Sequence, residues 1–102
     1  MYLLSSNAIA GLVGLRIACS ECIIAVTGGT EFWKHWTHGP GQSTVDLNYG
    51  NTSDTIYRFL QDTGRSGATA AGTNNSCGRG YSAWNLDGAI YVLEGGHWHV
   101  CY

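Results

Sequence analysis

The sequence predicts an α+β fold: a central helix packed on a sheet that includes an antiparallel meander, held by two disulfides. Three observations carry this expectation. Asn51–Gly64 has helix signals at both ends and lies between segments whose apolar residues alternate with period two. In the last third, Asp87-Gly88 and Gly95-Gly96 separate three such segments at hairpin spacing. Four cysteines and 15 glycines in 102 residues suit a chain whose single core is marginal without covalent support. Residues 1–102 are read as one domain.

The helix is the clearest element. Thr52, Ser53 and Asp54 offer oxygens to the unpaired N–H groups of a first turn, and Asp54 also suits the positive end of the dipole. Ile56, Phe59, Leu60 and Thr63 share one face, with Arg58, Gln61 and Asp62 opposite. Gly64 is placed to leave the helix in the left-handed conformation. A helix of about 11 residues is not stable alone in water, so Phe59 and its neighbours need a sheet to cover.

In chain order, Met1–Ala10 lacks a charged start and is interrupted by Ser5-Ser6-Asn7, so it is a poor signal peptide and a removed leader is expected. Asn7–Ile17 fits either a glycine-weakened helix or a strand. The run from Ala8 to Ala18 is expected in the core rather than as a membrane anchor, being well short of about 18 apolar residues. The β-branched run that follows favours extended structure, and Gly28-Gly29 a turn. Phe32, Trp33 and Trp36 fall within one helical turn, and Gly39-Pro40-Gly41 stops whatever precedes it. In Ser43–Tyr49, Val45, Leu47 and Tyr49 alternate with polar residues as a half-buried strand. Residues 64–72, rich in small side chains, read as loop with room for a short extended piece. Tyr81, Ala83 and Asn85 alternate ahead of the Asp87-Gly88 turn, and strands over Ala89–Leu93 and His97–Tyr102 complete a three-stranded meander.

Charged residues are 12% of the chain, the net charge is −2, and the five basic residues are scattered, which argues against a nucleic-acid groove. An even cysteine count, with the acceptor patterns Asn51-Thr52-Ser53 and Asn74-Asn75-Ser76, points to an oxidising compartment and to secretion.

Cys19-Ser20-Glu21-Cys22 could serve redox chemistry, which needs a helix N-terminus the sequence does not supply. With His35 and His38 it approaches zinc-finger spacing, but the histidines stand closer than that family requires. Disulfides are preferred, and no metal or cofactor is expected. A Cys19–Cys22 bond would close almost no chain. The expected bonds therefore run from Cys19 and Cys22 to Cys77 and Cys101, Cys19–Cys101 with Cys22–Cys77 slightly preferred, each closing a long loop worth about 4 kcal/mol.

His97 and His99 share a face if Trp98 is mid-strand, and Glu94 lies just before them. With Arg79 they would be the groups of a guanyl-type ribonuclease, the enzymatic alternative. Otherwise they are edge-strand polar residues beside a buried Trp98. Trp33, Trp36, Trp84 and Trp98 could form a sugar or lipid platform, though most belong in the core of a chain this poor in Leu and Met. Trp36 joins Glu94, His97 and His99 as a candidate functional residue.

From Asp54 to Gly88 the chain resembles the C-terminal portion of fungal killer-toxin-like secreted proteins and their necrosis-effector relatives. The resemblance rests on Ile56, Phe59, Gly67, Ala68, Gly72, Cys77 and Trp84, with Cys22 and Trp36 in the N-terminal half. It implies a small α/β sandwich with two helices. It also implies a secreted, antifungal, virus-encoded or yeast toxin that binds the cell wall or plasma membrane of competing cells and inhibits or permeabilises them. A binding function without catalysis is the resulting expectation, with the ribonuclease-like enzyme and a tryptophan-based carbohydrate-binding module as alternatives.

Overall fold

The turns of the meander form where the chain supplies the residues for them. Asp87 (φ 50°) and Gly88 (φ 82°) both adopt the left-handed conformation of a two-residue hairpin, and Gly96 (φ 107°) makes the next turn. The computed structural model of the chain describes residues 6–29, 44–47 and 54–102. The elements are α1 (Ser6–Ala18), β1 (Val26–Gly29), β2 (Thr44–Leu47), α2 (Thr55–Gln61), α3 (Thr63–Ser66), β3 (Thr69–Ala70), β4 (Ala83–Leu86), β5 (Ala89–Glu94) and β6 (His97–Cys101). Every strand pairing is antiparallel, and the sheet order is β1-β2-β6-β5-β4-β3. The α+β class and two disulfides are as expected. The segment holding Phe32, Trp33, His35, Trp36 and His38, the Gly39-Pro40-Gly41 stop, Tyr49, and the caps at Thr52 and Ser53 lie outside the described residues.

Period-two alternation decides what each face of the sheet does. Val45, Leu47, Trp84, Leu86, Ala89, Tyr91, Trp98 and Val100 point inward, and Ala8 and Leu15 of α1 with Ile56, Phe59 and Leu60 of α2 close the core over them. Trp98 is wholly buried and makes edge contacts with Trp84 (5.7 Å) and Tyr91 (6.3 Å). Its indole N–H donates to Asp54 Oδ2 at 2.8 Å, and the same oxygen accepts the Ile56 N–H as the cap of α2. One carboxylate thus starts the helix and fixes it to the middle of the sheet. On the opposite, outer face Ala83 and Val92 are also buried, outside the main core. Val92 lies under the loop through Gly78, where an added Cβ would come within 3.3 Å of it.

Several expectations are corrected. Asn7–Ile17, left open between helix and strand, is helix. Gly28-Gly29 lies within β1, next to a break in the pairing register, rather than forming a turn. The central helix is not continuous to Gly64: it breaks at Asp62 (ψ 79°), and the left-handed exit is Gly67 (φ 71°). The break carries Arg65 over the Phe59 ring, 5.2 Å from its centroid. Residues six apart on a straight helix point to different faces, so that contact requires the break. Thr63, expected on the buried face, is exposed.

The disulfide pairing is also corrected: the bonds are Cys19–Cys22 and Cys77–Cys101. The first follows from a turn at the end of α1, in which Cys22 N–H donates to Cys19 O and brings the two Cα atoms to 5.3 Å. Both sulfurs of this pair are buried in the core. The second pins the loop before β4 to β6 across the outer face. No disulfide ties the N-terminal segment to the meander.

Candidate functional site

The outer face of β2, β5 and β6 gathers the polar residues singled out in the sequence. Asp46 of β2 lies opposite His99 of β6 in the sheet register, and Glu94 of β5 lies opposite His97. His99 Nδ1 is 3.0 Å from Asp46 Oδ1, and His97 Nε2 is 3.1 Å from Glu94 Oε1. The structure therefore brings Glu94 and His97 into contact and sets both histidines on one side of the strand. It adds Asp46, which sequence reasoning missed because the pairing of β2 with β6 is non-local. Trp36 lies outside the described residues, and Arg79 sits in the loop bridged from Asn74.

This row is an open surface. His97 is 40% and Asp46 41% exposed at the side chain. A cleft of 380 Å³ between α1 and the β4–β5 turn is lined by none of these residues. An imidazole–carboxylate pair can shuttle protons, but acid–base catalysis also needs a concave site to hold the substrate against it. Cys77, His99 and Cys101 place three metal-type ligand atoms within 4.8 Å of one another. With the two sulfurs bonded to each other, that group offers no thiolate to a metal.

The cysteine pair at the end of α1 is likewise unsuited to redox chemistry. It follows the C-terminus of the helix, the negative end of the dipole, which disfavours a thiolate. Glu21 Oε1 lies 3.3 Å from Cys19 Sγ and works in the same direction. With Cys19 and Cys22 bonded to each other, the zinc alternative loses its thiolates as well.

Among the described residues, the exposed large apolar side chains gather on α1 and in the segment just after it, with Tyr81 apart from them. Ser6, Asn7 and Arg16 are the polar residues of this 13-residue helix. The run from Ala8 to Ala18, expected in the core, is buried only at Ala8 and Leu15, while Ile9 (50% exposed), Val13 (52%) and Ile17 (79%) stand in solvent. Their four-residue spacing aligns them as one ridge. Beyond the helix, Ile23 (64%) and Val26 (44%) are exposed too. Arg16 folds away, donating to Cys22 O at 3.1 Å. A helix apolar around its whole circumference is matched to an apolar surrounding on both sides, and the core supplies only one. No helix among the described residues is long and apolar enough to cross a membrane.

The tryptophans are mostly structural where they are described: Trp98 is buried, and half-buried Trp84 packs against Tyr57 at 5.6 Å. Comparison with family models, with curated proteins and with solved structures finds no match for this chain.

Proposed function

We propose that the protein is a secreted, killer-toxin-like protein that binds the membrane surface of a target cell, with the exposed ridge of α1 as its contact. The observation that carries this reading is the Ile9–Val13–Ile17 stripe on a helix already apolar on its other side. At about 1.5 Å per residue α1 is roughly 20 Å long, short of the approximately 30 Å hydrocarbon core, so it lies in the interface rather than spanning it. Interfacial burial of three β-branched side chains supplies the affinity. Charge does not, because the net charge is −2 and the five basic residues are scattered along the sequence.

The test is partition onto phosphatidylcholine vesicles by co-sedimentation, with Ile17→Glu and Val13→Glu as variants. Both positions are exposed, so folding stability should change by no more than about 0.5 kcal/mol. The wild type is expected to bind with little dependence on salt, and each variant to lose about tenfold in partitioning. Absence of wild-type binding overturns the reading. So does a dimer that dissociates in Ile17→Glu, which would assign the ridge to a second copy. RNA hydrolysis abolished by His97→Ala or His99→Ala would favour the enzymatic alternative instead.

A further inference from the structure

Asn74-Asn75-Ser76 has the form of an N-glycan acceptor, and the structure divides its three side chains between two tasks. Residues 71–80 form a loop ahead of β4, in which Asn74 pairs through its backbone with Arg79. Asn75, the middle residue of the pattern, holds this loop. Its Oδ1 accepts the N–H groups of Cys77 and Gly78 at 2.9 Å each, and its Nδ2 donates to Gly72 O at 3.0 Å. Asn75 N–H also donates to Gly78 O at 3.0 Å, and Gly80 N–H to Thr73 O at 2.7 Å. An asparagine that bonds the backbone two and three residues on builds a turn without help from its neighbours. Asn74 and Ser76, whose amide and hydroxyl the acceptor pattern requires, are both exposed. The Cys77–Cys101 bond and the close approach of Gly78 to Val92 seat the loop on the outer face of the sheet.

We infer that Asn74 is a site of N-linked glycosylation. The inference rests on the secreted reading, because the acceptor meets its donor, a lipid-linked oligosaccharide diphosphate, in a secretory compartment. The transfer forms a bond between Asn74 Nδ2 and the anomeric carbon of the first sugar. The bond from that carbon to the diphosphate breaks, and the amide proton leaves with the diphosphate. The folded loop accommodates the product, since Asn75 rather than Asn74 supplies the side-chain hydrogen bonds and Asn74 is open to solvent. The sheet separates this surface from the ridge of α1: the helix closes the core over the inner face, and the loop lies on the outer one. A bulky, hydrated glycan on Asn74 therefore leaves Ile9, Val13 and Ile17 free to meet a membrane. The second acceptor pattern, Asn51-Thr52-Ser53, lies outside the described residues and is removed in the test.

The full chain carrying Asn51→Gln is translated behind a cleavable leader with endoplasmic-reticulum microsomes, and gel mobility is read before and after endoglycosidase. The leader supplies targeting, so acceptor use is decided whether or not the protein binds membranes. One glycosidase-sensitive step in mobility is expected, and it should be lost on adding either Asn74→Gln or Ser76→Ala. Ser76→Thr, which keeps the hydroxyl, should retain it. Absence of the step, or its survival with Asn74→Gln, overturns the inference. So does a step that Ser76→Ala leaves unchanged, which would mean modification outside the acceptor pattern. The glycosylated protein is then sedimented with phosphatidylcholine vesicles beside the same protein after endoglycosidase. Equal partitioning of the two forms is expected, and a severalfold gain on removal of the glycan would overturn its placement away from α1. Failure of both forms to bind would sink the membrane reading, while the mobility step would still assign the glycan to Asn74.

Discussion

At the scale of single residues, charged and polar groups reach across the chain to tie together elements that the apolar core packs. Arg65 grips the Glu21 carboxylate with both guanidinium nitrogens and also reaches the Ala18 carbonyl, joining α3 to the end of α1. The Arg65 hydrogen bonds hold the Glu21 carboxyl down at about 2, against an ordinary 4.5. A depressed carboxyl contributes its stability above the unfolded value and loses it as pH falls through the folded one. The denaturant midpoint of Glu21→Gln is therefore expected below that of the wild type at neutral pH. The gap should close between about pH 4.5 and pH 2. A gap of constant size down to pH 2 would show that the ion pair does not contribute to folding. Neither this pair nor the Asp54–Trp98 bond could be read from the sequence. Asp54 was recognisable as a helix cap because capping is local, whereas its second partner lies 44 residues away.

At the scale of elements, local chemistry was readable and tertiary choice was not. Turn residues and period-two alternation located β2, β5 and β6 and put His97 and His99 on one face. They could not reveal Asp46, because register between β2 and β6 is set by the assembled sheet. The break at Asp62 was hidden because Asp62, Thr63 and Gly64 carry no prohibition on continuing a short helix; the Arg65 contacts decide it. The glycines of α1 show the same division. Gly11 accommodates the Tyr102 ring, whereas Gly14 faces open space. Gly14→Ala is therefore expected to stabilise the protein by about 0.5–1 kcal/mol through helix propensity. Gly11→Ala should destabilise it by about 1–3 kcal/mol, because the ring must move. Thermal denaturation of the two variants side by side checks this, and equal effects would show that Tyr102 does not pack on the helix.

For the whole molecule, the two disulfides differ in consequence. Cys77–Cys101 closes a loop of 24 residues, worth about 3.5 kcal/mol by loop entropy, and its cysteines are partly exposed. Cys19–Cys22 spans three residues and is buried, so it constrains the unfolded chain little and is shielded from reductant. Under limiting thiol, mass mapping of alkylated peptides should find Cys77 and Cys101 labelled first, with stability lowered by about 3.5 kcal/mol. Labelling of Cys19 and Cys22 first would contradict the burial order. The cysteine count made two bonds legible. The pairing was not, because preferring long loops weighs only the unfolded state, while the turn after α1 decided the outcome in the folded one.

The sheet order has a temporal side. β6 stands between β2 and β5, so the strand that follows all the others in sequence joins the two halves of the sheet. A nascent chain that has not yet exposed His97–Cys101 can pair β1 with β2, and β4 with β5, but these remain separate ribbons with Trp98 missing between them. Two-stranded ribbons are marginal in water, and joins between distant segments are slow to close. Cooperative structure is therefore expected to arrive in one late step. Until then the edges of β2 and β5 that β6 pairs with are open, which makes the interval before β6 docks the period of greatest exposure to aggregation and proteolysis.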